Sequence, residues 1–117
     1  MRRLLASPWS LLLVAALVWA GLQGWRSAQA ARLGPEVART AGAGDIRMIS
    51  SLTCRYCTQA RAWFTEHGVA FSECFVEREE GCAQAYAALQ APGTPVLLVR
   101  DTRLVGFSPR RIADALR

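Results

Sequence analysis

A chain of 117 residues has room for one compact domain and an appendage. Its 14 basic side chains are all arginine, set against nine acids and one histidine, and a basic stripe interleaved with aromatics, the footprint of nucleic-acid binding, is absent. Three of the arginines and none of the acids fall in residues 1–30, so the remainder is nearly balanced, and the lack of lysine reads as genomic base composition.

Met1-Arg2-Arg3 makes a positive start, and residues 4–25 follow with no charge over 22 positions. As a helix this run would extend about 33 Å at ~1.5 Å per residue, enough for a bilayer core. Trp9 and Trp25 fall near its ends, where indole rings favour the headgroup zone. It has no polar face, which speaks against a core helix. Two readings remain: an uncleaved signal anchor, or a leader cleaved after the small-x-small triplet Ala28-Gln29-Ala30. Trp25 and Arg26 just upstream of the triplet, and the length of the run, favour the anchor, so residues 1–28 are expected to form a transmembrane segment. Arg2 and Arg3 on one side nearly balance Arg26, Arg32 and Arg39 on the other, so charge alone does not orient it. A single N-terminal span most often leaves the following domain outside the cytoplasm. The expected location is therefore a bacterial inner membrane, single-pass, with the folded part in the periplasm.

Residues 29–44, rich in Ala, Gly and Arg with Pro35, read as a linker in which Glu36-Val37-Ala38-Arg39 makes at most one helical turn. The folded part is expected over residues 45–117. The pattern predicts a strand at 46–50, a helix at 54–67, a strand at 69–75, a helix at 79–90, strands at 95–99 and 102–107, and a helix at 109–116. Gly68 is a natural helix stop after His67. Val96-Leu97-Leu98-Val99 is a continuous apolar run suited to a strand buried on both faces. Ser108-Pro109 supplies an N-cap and a first-turn proline. The order predicts an α/β fold, a mixed sheet flanked by helices.

The chemistry lies in Thr53-Cys54-Arg55-Tyr56-Cys57, between the first strand and the helix. A thiol at a helix N-terminus meets unpaired N–H groups and the positive end of the macrodipole, both of which favour thiolate, and Arg55 adds a fixed positive charge. Cys57, one turn on, is placed to close a disulfide with Cys54, which makes the pair a dithiol switch. The same pair is also half of a zinc site. Sixteen residues separate Cys57 from Cys74, as in a zinc ribbon, but seven separate Cys74 from Cys82, where two are wanted. Cys74 at a strand end and Cys82 at the following helix start suit a structural disulfide, with two unrelated thiols as the alternative. Trp63 and Phe64 read as core, and His67 is about three turns from Cys57, a poor candidate base.

Cys54-Arg55-Tyr56-Cys57, Gly93-Thr94-Pro95-Val96 and Gly106-Phe107-Ser108-Pro109 stand in the order and spacing of glutaredoxins, and residues 45–117 resemble that family of the thioredoxin-fold superfamily. The resemblance implies a four-stranded mixed sheet flanked by helices and a thiol–disulfide oxidoreductase, here preceded by one transmembrane helix. It implies Cys54 as nucleophile and Cys57 as resolving thiol, with substrate met by Arg55, Tyr56, Thr94, Pro95, Gly106 and Phe107. Proline tolerates a cis peptide and has no N–H, so a cis-proline loop leaves the Thr94 backbone free to pair with substrate. Read alone, Pro95 is an ordinary strand-start proline. The resemblance further implies no bound cofactor or metal, a monomer, and glutathione or a disulfide-bearing protein as partner, with glutathione as electron donor. An iron–sulfur or zinc module on the same cysteines is the alternative, since some glutaredoxins bridge a cluster between two chains.

The chain departs from the family pattern at several positions. Arg55 stands in place of the usual proline, and no lysine precedes the motif. Gly106-Phe107-Ser108-Pro109-Arg110 replaces the usual Gly-Gly-x-Asp that holds a glutathione carboxylate, and resembles thioredoxin-reductase-linked hydrogen donors. Arg110 and Arg111 open the last helix, as surface arginines or as contacts for an anionic partner.

Overall fold

The structure, a computed structural model, describes residues 7–117. The Arg2-Arg3 pair and the first three residues of the apolar run lie outside the described residues. The chain divides into a unit ending at Ala31 and a second unit, Arg32–Arg117.

Helix α1 (Pro8–Thr40) begins in the first unit. The large apolar side chains there, from Trp9 to Trp25, are all more than half exposed. Among the described residues α1 is the helix long and apolar enough to cross a membrane, and it carries Pro8 in its first turn.

The expected linker at 29–44 is instead helical through Thr40, and its last turns belong to the second unit. Leu33, Val37 and Ala41 recur every four residues, so one face of this turn is apolar. Val37 is fully buried in the main core, and Leu33 and Ala38 pack against that core. The Ala, Gly and Arg composition and Pro35 hid this stripe. An internal proline removes the bond to the carbonyl four residues back, here that of Ala31, and its ring crowds that carbonyl, yet the helix continues through Pro35 with Val37 in the core.

The second unit is built on a four-stranded sheet in the order β2-β1-β3-β4. Strand β1 (Ile46–Ser50) runs parallel to β2 (Ser72–Phe75) and antiparallel to β3 (Val96–Val99), which pairs antiparallel with β4 (Thr102–Val105). Helices α2 (Arg55–His67) and α3 (Glu80–Leu89) follow β1 and β2, and α4 (Pro109–Leu116) follows the β3–β4 pair. Strand side chains alternate between faces. Ile46, Met48, Leu97 and Val99 join Phe64 of α2 and Ile112 of α4 in the main core. Ile49, Cys74 and Val96 face the other way, against Cys82 and Tyr86 of α3. Both faces are covered, which is why β1 and β3 read as nearly continuous apolar runs.

Two strands, β2 and β4, are shorter than the pattern predicts by more than one residue, for local reasons. Gly68 takes a left-handed φ of 67°, its N–H reaches Thr65 O, and the Val69 N–H reaches Phe64 O at 2.9 Å. Val69 is therefore used to close α2 with a buried apolar contact, and β2 starts only at Ser72. At the other end Gly106, with φ 85°, turns the chain out of β4 and donates to Pro95 O at 2.9 Å. Phe107 then turns inward, its ring 5.8 Å from Trp63 and 6.1 Å from Phe64. The last helix starts as expected, with Ser108 Oγ accepting from the Arg111 N–H and Pro109 at its first position.

Candidate active site

The strand register gathers the sequence motifs at one end of the sheet. Ile49 pairs with both Cys74 and Val96, and Val96 pairs with Val105. The C-terminal ends of β1, β2 and β4 and the N-terminal end of β3 therefore coincide. The 51–54 loop, the Thr94-Pro95 step, Gly106 and the 76–79 turn all leave the sheet at this edge.

Cys54 is the N-cap of α2, with extended φ and ψ of −92° and 110°. Its Sγ accepts from the Cys57 N–H at 3.0 Å. A side-chain acceptor here satisfies one of the unpaired donors of the first helical turn. Cys54 is half-buried while Cys57 is fully buried, so the two sulfurs differ in access. The pair is joined as a disulfide with Cα atoms 5.2 Å apart. Arg55, the first residue of α2, is exposed, and Tyr56 is 60% exposed. The Thr94-Pro95 bond is cis, with Pro95 fully buried and Thr94 half-buried beside it. Phe107 is half-buried, with its ring against Trp63 and Phe64 of the aromatic core. Arg110 is exposed, and Arg111 Nη1 donates to Val105 O at 3.2 Å.

Cys74 and Cys82 are bonded to each other, with Cα atoms 6.0 Å apart, joining the third residue of β2 to the start of α3. Both are buried, and no cysteine is left free.

Two polar groupings hold this edge that sequence patterning did not reveal. Ser50, the last residue of β1, is fully buried and donates to Glu73 Oε2 at 2.6 Å. Arg61 of α2 meets the same carboxylate with two parallel bonds, Nε to Oε1 at 2.7 Å and Nη2 to Oε2 at 2.8 Å. Burial pushes the Glu73 carboxyl up, but the Arg61 hydrogen bond and charge and the Ser50 hydroxyl outweigh it and leave the group below its ordinary value. The second grouping is Glu77, in the turn after β2. Its carboxylate accepts from the Ser51 hydroxyl and, at 3.1 Å, from the Leu52 N–H. The Ser51 hydroxyl is the main reason that this carboxyl also lies low. The only early signal for either was an arginine on the helix and acids in or just after the second strand, a pattern shared by any solvated surface.

The sequence profile of the glutaredoxin family matches residues 46–104, from the start of β1 into β4. The chain belongs to the glutaredoxin family. Solved structures agree on the architecture. A glutaredoxin from Archaeoglobus fulgidus superposes with a TM-score of 0.52 at 16% identity, over 62% of this chain and 86% of that one. A glutaredoxin from Methanosarcina mazei Go1 gives 0.54 at 24% identity, over 62% and 78%. Methanoredoxin from Methanosarcina acetivorans gives 0.54 at 28% identity, over 66% and 90%. No curated protein matches the sequence significantly. A glutaredoxin domain that keeps both cysteines of the Cys54–Cys57 pair is a thiol–disulfide oxidoreductase, and α1 makes this glutaredoxin a candidate for membrane attachment.

Proposed function

We propose that this glutaredoxin works as a membrane-held dithiol enzyme in which Cys54 attacks and Cys57 resolves. The observation that carries the assignment is the contrast between the two sulfurs: Cys54 caps α2 and is accessible, whereas Cys57 is fully buried one turn on. In the reduced state, the Cys57 N–H and the positive end of α2 favour charge on Cys54. The Cys54 thiolate attacks one sulfur of a substrate disulfide, forming a mixed disulfide and expelling the other sulfur as a thiolate. Cys57, deprotonated, then attacks Cys54 Sγ, expels the second substrate sulfur, and leaves Cys54–Cys57 oxidised and the substrate reduced by two electrons. Run in reverse, the same steps oxidise a dithiol.

The partner is a polypeptide disulfide. Leu52 and Tyr56, 51% and 60% exposed, are the large apolar side chains exposed in the second unit, and both lie within two residues of Cys54. Apolar side chains gathered at one reactive sulfur suit a protein surface better than the polar tripeptide glutathione. Residues 4–25 hold the domain to a bacterial inner membrane on its periplasmic side, with residues 1–28 as anchor. Glutathione remains a candidate electron donor, and no bound cofactor is required. The test is a comparison of turnover on the disulfides of a small protein, such as insulin, with turnover on a glutathione mixed disulfide. Faster turnover of the protein substrate, selectively slowed by Leu52→Ser and Tyr56→Ser, supports the assignment. Equal sensitivity of both substrates to these changes counts against it.

A further inference from the structure

The loop between Cys74 and Cys82 does more than join β2 to α3. The strand ladder ends where the Val76 N–H reaches Ser50 O at 3.0 Å, and from there the chain turns through Glu77 and Arg78 into α3. The turn is held from within by the Arg78 and Glu79 N–H groups, both donating to Phe75 O at 3.1 Å, and by the Arg78 guanidinium 5.3 Å above the Phe75 ring. Its two ends are fixed to each other by the Cys74–Cys82 bond. Out of this closed loop Glu77 reaches across to the loop that carries Cys54. One carboxylate oxygen takes the Ser51 hydroxyl and the other takes the Leu52 N–H. Ser51 in turn accepts the Cys54 N–H through its carbonyl at 3.2 Å. A continuous set of contacts therefore runs from the buried disulfide to the N-cap sulfur.

We propose that Glu77 is a positioning residue for Cys54, and that the Cys74–Cys82 bond serves the active site by holding the loop that presents Glu77. The inference rests on Cys54 being the reacting thiol. The two disulfides differ in the access this role requires. Cys54 is half-buried and open to exchange, whereas Cys74 and Cys82 are buried, so the brace persists while the reactive pair cycles. The 51–54 loop has few other side-chain anchors: apart from Glu77, Ser51 Oγ meets only the Thr53 hydroxyl and N–H of the same loop, and Leu52 and Thr53 are exposed. Without Glu77 the Leu52 N–H turns to solvent, and the peptide that delivers Cys54 to the start of α2 samples other orientations. A short flexible approach to a nucleophile lowers the fraction of time in attacking geometry.

The experiment uses the full chain in detergent with Cys57→Ser as background, so that only the first exchange step is read. Glu77→Ala, Glu77→Gln, Cys74→Ser with Cys82→Ser, and the combination of the cysteine pair with Glu77→Ala are compared. Two quantities are followed: the rate at which Cys54 forms a mixed disulfide with a protein disulfide, and hydrogen exchange of the Leu52 amide. Expected is a slowing of about fivefold in Glu77→Ala and in the cysteine variant, with the combination no slower than the larger single effect, because residues acting through one set of contacts are not additive. Leu52 amide exchange should quicken in the same variants. Glutamine keeps an acceptor for the Leu52 N–H and a donor for the Ser51 oxygen, so Glu77→Gln should restore both readouts to near the parent. If Glu77→Ala and Glu77→Gln change the rate equally, only charge is involved and the positioning role fails. Multiplying effects in the combination, or an unchanged Leu52 amide in both single variants, also overturns the coupling. A parent protein inert toward every disulfide would instead contradict Cys54 as nucleophile, and the amide readout would still decide whether the brace exists.

Discussion

Gly34 lies against the imidazole of His67 so closely that a β-carbon on it would overlap the ring. His67 is the last residue of α2, and its ring lies tilted against that of Trp63 with centroids 4.8 Å apart, which limits its retreat. This contact and the burial of Val37 make the end of α1 part of the folded domain.

Gly34→Ala should therefore lower stability, although alanine is better than glycine in a helix by roughly 1 kcal/mol. Overpacking of this kind costs about 1–3 kcal/mol. The net expectation is a loss of about 1 kcal/mol, or some 4–8 °C in melting temperature for a domain of this size. Gly81→Ala in α3, where a β-carbon meets nothing within 4 Å, should leave the midpoint unchanged or raise it. Thermal unfolding of the full chain in detergent, followed by circular dichroism, compares the two.

Glu73 sets an expectation for acid. Its folded value lies below the ordinary 4.5, so the unfolded chain binds the proton more readily than the folded one. The stability this group contributes is fully present above 4.5 and is lost as pH falls through the depressed folded value. Glu73→Gln should cost about 1–2 kcal/mol at neutral pH, a modest figure because water reaches the partly exposed Arg61. The same variant should lose less than the parent between pH 7 and roughly pH 3. Urea midpoints across that range measure both slopes, and parallel slopes would remove Glu73 from the acid response.

Much of this arrangement was legible in the sequence because it is written in local chemistry. The N-cap thiol, the Gly68 stop, the Ser108-Pro109 start and the Val96–Val99 run each announce themselves within a few residues. What escaped was non-local. Val37 is a core residue only because the sheet and α2 provide a place for it. Phe107 packs inward only because Gly106 turns the chain. Glu73 and Glu77 look like surface acids until the fold brings Arg61 and Ser51 to them. Residue spacing cannot report partners that are 12 to 26 positions apart.

The second disulfide should be detectable directly. Protein quenched in acid, alkylated and digested should give a peptide pair joining Cys74 to Cys82. Replacing both by serine should cost about 2–3 kcal/mol on the loop-entropy estimate for so short a loop. Free alkylation of both positions in protein from its native host would remove the bond and with it the brace on the Glu77 loop.

The apolar start of α1 sets an expectation for fractionation. Residues 4–25 should keep the full chain in the membrane fraction through a carbonate wash, since the large apolar side chains from Trp9 to Trp25 are all more than half exposed. A soluble product beginning at Ala31 would show instead that the segment is a leader removed after Ala30.

The division of labour between Cys54 and Cys57 is tested most directly by trapping. Reduced single-cysteine-pair variants, Cys57→Ser and Cys54→Ser, are mixed with a protein disulfide near neutral pH, quenched in acid and mapped by mass. Cys57→Ser should accumulate a stable mixed disulfide on Cys54, and Cys54→Ser should form none on the buried Cys57. Accumulation on Cys57 in the Cys54→Ser protein, with Cys54 unreactive in the other, would contradict the assignment of the half-buried N-cap sulfur as the attacking one.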